Sequence, residues 1–113
     1  MSGNDSIEET VSATYKDLPP YENSIRLFLI DAVLNKQFMV IPIRHIMWGI
    51  KEDIGEDEPR VLVPGVGGSE DQVTKALQNL YNTNVLNVLI FQYTGCGTEI
   101  MVKFVSDVRE DNK

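Results

Sequence analysis

One stretch constrains the fold of this chain more than any other. Over residues 69–81, Val73, Ala76, Leu77, Leu80 and Tyr81 stand at i, i+3, i+4, i+7 and i+8. That is one apolar stripe of helical period. Ser69 and Gln72 have capping-box spacing, and Glu70 and Asp71 put negative charge at the positive end of the helix dipole. A one-sided helix must cover an apolar surface, and the rest of the chain reads as strands that supply one.

Ile25-Arg26-Leu27-Phe28-Leu29-Ile30 is an apolar run with β-branched ends, predicted as the first strand. Turn chemistry around Asn35-Lys36 leads to a return strand over 38–41. Pro42 lacks an N–H for the ladder, so it stops that strand or places it at a sheet edge. Residues 43–54 fit two periods. Ile43, Ile46, Met47, Ile50 and Ile54 have helical spacing, whereas Ile46, Trp48 and Ile50 alternate as in a strand. Gly49 weakens the helix, so a turn over 42–45 and a strand over 46–51 are predicted. Arg60-Val61-Leu62-Val63 is the next strand, antiparallel to it. After the helix, 86–93 and 98–105 form a hairpin around Thr94-Gly95-Cys96-Gly97. Ile100, Val102 and Phe104 point one way, and Glu99 and Lys103 the other, which gives one buried face and one wet face. The order ββ-ββ-α-ββ predicts an α+β domain: a small, mostly antiparallel sheet of about six strands with one helix packed on it.

Charge divides the chain differently. Residues 1–24 hold five acids against one lysine and few large aliphatics, and are predicted as a flexible acidic arm. Ile7, Val11 and Tyr15 at i+4 steps allow a short helix there. Residues 25–106 make the single domain and 107–113 a charged tail. The loop 51–60 holds five more acids against Lys51 and Arg60, so arm and loop together account for the whole net charge of -7.

That acidity argues against a main role in gripping nucleic acid phosphates. One cysteine excludes an internal disulfide, and one histidine besides excludes the usual four-ligand zinc sites. With 42% apolar residues the chain can build a core without either, burying about two-thirds of its surface. The start MSGNDSIEET lacks the features of a signal peptide, and the run Val88-Leu89-Ile90-Phe91 is far short of the roughly 20 residues that span a bilayer. The expected setting is the reducing cytoplasm of a cell or an infected host, with no membrane contact, metal or cofactor.

Four features carry candidate chemistry. Pro64-Gly65-Val66-Gly67-Gly68-Ser69 joins a strand to a helix start, where backbone N–H groups can cradle a phosphate. Gly65, Gly67, Gly68 and Ser69 would form that site. No lysine follows the glycines, and Glu70 and Asp71 would repel an anion, so a connection needing positive φ is the plainer reading. Cys96, between two glycines at a hairpin tip, would need His45 as a base to act as a nucleophile. His45 alone reads as a partly exposed histidine. Glu52, Asp53, Glu56, Asp57 and Glu58 lack calcium-loop spacing; they read as a solvated loop or as a docking loop for a basic partner surface. Trp48 is a candidate interface anchor, although its place in an amphipathic element, like that of Tyr81, predicts core. Exposed sheet edges offer a further route, pairing of two copies into a homodimer.

A broader pattern runs over residues 25–80. It comprises Ile25-Arg26-Leu27, Asn35-Lys36, Phe38-Met39-Val40-Ile41-Pro42, the Ile-rich stretch 46–50, Val61-Leu62-Val63, and Glu70 to Leu77. The pattern resembles small flagellar FlbD-type proteins and phage-encoded short proteins of similar plan. The chain lacks their Asn-Gly turn and the asparagine before the proline, and it adds a C-terminal hairpin. The resemblance implies a small accessory or regulatory protein and assigns no functional residue. The expected function is therefore a non-enzymatic protein-interaction module, with small-ligand binding at the glycine-rich turn as the alternative.

Overall fold

The chain begins helical where its apolar run predicts a strand. In the computed structural model, which describes residues 18–105 apart from 56 and 58, helix α1 spans Pro20–Leu29 and continues as a π-helical turn over Ile30–Asn35. Pro20 occupies the first helical position, where its fixed φ suits the helix and its missing N–H costs nothing. Ile25, Phe28, Leu29 and Ala32 are buried at i, i+3, i+4 and i+7, while Leu27 is 48% exposed. Each fully buried side chain of this kind contributes roughly 1.5–3 kcal/mol. The expected strand 25–30 and its hairpin with 38–41 do not form, because the apolar stripe has helical period over a longer span than the six-residue run. Leu18 already packs against the core and the helix starts at Pro20, so ordered structure begins inside the stretch predicted as an arm. Residues 1–17 of that arm and the predicted tail lie outside the described residues.

Strand β1 is only Ile41–Pro42, and it pairs with the last strand rather than with 25–30. Pro42 does sit at a sheet edge. Helix α2, Ile43–Trp48, replaces the predicted turn and the first half of the predicted strand. Gly49 ends it with φ 99°, a conformation glycine adopts without penalty. The glycine terminates the helix instead of forbidding it. Strand β2, Gly49–Glu52, then pairs antiparallel with β3, Arg60–Pro64, as expected.

Helix α3, Glu70–Asn82, carries the predicted capping box: the Ser69 Oγ accepts from the Gln72 N–H at 3.2 Å, and the Gln72 Oε1 accepts from the Ser69 N–H at 2.8 Å. Val73, Ala76, Leu77 and Leu80 are buried, whereas Tyr81 is half exposed. The hairpin of β4, Leu86–Thr94, and β5, Gly97–Phe104, also forms as predicted. Thr94 closes its turn, with its Oγ1 accepting from the Cys96 N–H at 3.1 Å and donating to the Gly97 carbonyl at 2.9 Å.

The architecture is α+β with antiparallel sheets, but the strands divide into a three-stranded sheet ordered β1-β5-β4 and a two-stranded sheet β2-β3. Three α-helices, not one, complete it among the described residues. Ile25, Leu29, Ile43, Ile46, Leu77, Leu80, Leu86 and Ile100 are each at most 2% exposed and join all three helices to the larger sheet. No described helix is long and apolar enough to cross a membrane.

Candidate interaction surface

The acidic loop is partly neutralised by its own hairpin. Glu52 and Arg60 are opposite one another in the β2–β3 register, and the Arg60 guanidinium meets the Glu52 carboxylate at 2.6 Å. Both side chains are well exposed, so the pair contributes about 0–1 kcal/mol, but it leaves Glu52 locally charge-balanced. The Asp53 carboxylate accepts from the Gly55 N–H at 2.9 Å, a local turn contact. Asp57 is exposed; Glu56 and Glu58 lie outside the described residues. Trp48 is 66% exposed rather than core. It ends α2 off the face that buries Ile43 and Ile46, which stand three apart.

The glycine-rich turn is tied into the fold by its backbone. The Val66 and Gly67 N–H groups donate to the Ile46 and Met47 carbonyls at 2.9 Å each. The Tyr21 hydroxyl donates to the Gly67 carbonyl at 2.7 Å, and burial pushes its pKa up. A Cβ on Gly65 would lie 2.5 Å from the Gly49 N, the Met47 O and the Trp48 C. A Cβ on Gly68 would run into the Tyr21 hydroxyl. Glycine is thus required at 65 for close backbone approach, and the N–H groups of Val66, Gly67 and Ser69 already have partners within the fold.

Cys96 is exposed at the β4–β5 turn, and the group that reaches it is Arg44, whose Nη1 donates to the Cys96 carbonyl at 3.1 Å. His45 borders a separate shallow cleft with Phe38, Ile41, Ile50, Glu52 and Leu62. Partial burial, and then the Arg44 charge, lower its pKa. The thiol–histidine pairing that a nucleophilic site requires has no contact supporting it. No group of three or more metal-ligating side chains occurs among the described residues.

A different surface stands out on the outer face of the larger sheet. The register places Ile90 opposite Met101 and Val88 opposite Lys103. These side chains, with Val33, Gln37, Phe38 and Met39, line a groove of about 460 Å³. Ile90 is 45% and Met39 84% exposed. The face predicted to be wet is therefore apolar along its middle, because Met101 falls between Glu99 and Lys103 and β4 is apolar on both faces. The signal was in the sequence: Val88-Leu89-Ile90-Phe91 does not alternate as β5 does.

Beside this face runs the open edge of β4. The strand is last in the sheet order, and its nine residues, LNVLIFQYT, include no charge. Comparison with protein families, with curated proteins and with solved structures finds no match to this chain.

Proposed function

We propose that this chain is a small, non-enzymatic protein-interaction module whose docking surface is the β4–β5 hairpin. The observation that carries the reading is the apolar outer face around Ile90, Met101 and Met39 lying next to an uncharged, unpaired strand edge. Contiguous exposed apolar surface of this kind marks association sites, and an open edge supplies a row of backbone donors and acceptors to a partner strand. In this reading the docking surface is the hairpin and not the acidic loop, where Glu52 already has Arg60 and Asp53 serves its own turn. The phage-type accessory role suggested by the sequence pattern belongs to the same class of function.

The test compares wild-type protein with Ile90→Lys. Wild type is expected to associate with protein and Ile90→Lys to lose that association while keeping its helical circular dichroism. Purified protein should show no increase in melting temperature with saturating nucleotides or phosphates, since a ligand at 100 times its Kd stabilises by about 2.7 kcal/mol. Equal protein binding by both forms, or a marked thermal shift with a small ligand, would overturn the reading.

A further inference from the structure

We infer that the partner of the β4 edge is β4 of a second copy, paired antiparallel about a two-fold axis at Ile90; this rests on the interaction reading above. The sheet edges of the fold differ in how they are protected. Proteins blunt open edges with short strands, proline, charge or bulges. β1 is two residues long and contains Pro42. β2 ends in Lys51 and Glu52 and has an irregularity at Ile50/Lys51, and β3 runs from Arg60 to Pro64. β4 is the longest strand among the described residues, carries no charge and no proline, and has one irregularity, near its start at Leu86/Val88.

The sequence of that edge suits its own copy. An acidic or basic partner strand would find no opposite charge along it. A two-fold axis at Ile90 aligns all nine residues of β4 with the nine of the partner. Paired residues share a face, so Ile90 meets Ile90 on the outer face, and Leu89 meets Phe91 on the inner face. The outer row then reads Met101, Ile90, Ile90, Met101 across four strands. Two grooves that are separate in the monomer become one apolar surface, and the two three-stranded sheets become one of six strands.

Sedimentation of the full chain tests the inference. Wild type is expected to sediment at twice 12.7 kDa. Ile90→Lys is expected to be a folded monomer, because like charges directly opposite one another oppose pairing, and Ile90→Val is expected to remain a dimer. Register is tested in a Cys96→Ser background. Opposed residues have Cα atoms about 4.5–5.5 Å apart, within disulfide reach, so Ile90→Cys should cross-link to its own copy under mild oxidation. Tyr93→Cys should not, because residues six positions out of register are about 20 Å apart at 3.3 Å per residue. A wild-type monomer at submillimolar concentration, or cross-linking at 93 and not at 90, would overturn the inference. A wild-type monomer that still loses a heterologous partner on Ile90→Lys would overturn self-pairing alone and leave the interaction surface standing.

Discussion

The three glycines at positions 65, 67 and 95 separate two physical reasons for using glycine, and replacing each with alanine measures them. Gly65 has no positive φ, so its cost is steric. A Cβ there lies 2.5 Å from backbone atoms of Met47, Trp48 and Gly49. Relief requires moving the α2–β2 junction by about 1 Å, and overpacking of this kind costs about 1–3 kcal/mol. The same movement breaks the hydrogen bonds from Val66 and Gly67 to Ile46 and Met47, each with a net contribution of about 0.5–1.5 kcal/mol. The expected total for Gly65→Ala is about 4 kcal/mol. In a fold of this size that lowers the melting temperature by more than about 10 °C. Gly67 has φ 76° and nothing near its Cβ position, so Gly67→Ala costs only the left-handed penalty of about 1–2 kcal/mol. Gly95 has neither constraint, and Gly95→Ala should be neutral or stabilising by up to about 1 kcal/mol. Urea unfolding followed by circular dichroism gives all three values with a common slope. If Gly65→Ala proved milder than Gly67→Ala, close packing of the turn against α2 would not be the reason for the glycine, and the phosphate-loop reading would regain its footing.

Four shorter predictions follow from other elements. Leu27→Lys should change stability by less than about 0.5 kcal/mol, whereas Leu29→Ala should cost about 2–5 kcal/mol; urea midpoints check both, and a strand over 25–30 would make the two positions equivalent. Ser69→Ala removes one half of the capping box and should cost about 1 kcal/mol in the same assay. His45 has a lowered pKa, so the unfolded chain binds its proton more readily; its contribution to stability is full above its ordinary value near 6.5 and is lost as the pH falls towards the folded value. His45→Asn should flatten the urea midpoint between about pH 7 and 5, relative to wild type. Added salt shortens the Debye length from about 10 Å at 0.1 M to 3 Å at 1 M, so association through the β4 edge should hold or strengthen, and sedimentation at two salt concentrations would expose any weakening.

What the sequence made legible was what is encoded locally. The capping box at Ser69 and Gln72, the stripe from Val73 to Leu80, and the alternation in β5 each need only a few neighbouring residues to be read. The β4–β5 and β2–β3 pairings follow because each joins strands close in sequence. The first third of the chain was less legible. Ile25 to Ile30 is too short a run to distinguish strand from helix, and the residues that extend its helical packing, Tyr21 before it and Ala32 and Val33 after it, lie outside the run. Gly49 weakens a helix that would run through it, but here it ends one. Pairing of Ile41 with Ile100 spans most of the fold, and nothing near Ile41 announces it. The candidate surface was hidden for a related reason. Met101 looks like one apolar residue between two charges until β4 sets Ile90 and Val88 beside it.

The division of charge gives these surfaces their meaning. Among the described residues, the acids of the loop 51–60, a solvated loop or a docking loop by sequence, belong to the β2–β3 hairpin, in a different sheet from β4 and β5. Their local partners, Arg60 and the Gly55 N–H, are contacts that any solvated turn can make. The uncharged strand is the exception that needs a cause, since a quarter of the chain is charged and β4 holds none of it. A protein selected only for solubility would place a lysine on that edge at almost no cost to stability, as its shorter edges do with Lys51 and Arg60. Repulsion between two copies at -7 acts over many ångströms and slows encounter, but it falls on segments outside the paired strand. Net acidity therefore limits indiscriminate aggregation, and the neutral edge leaves open the single contact that the strand's own sequence fits.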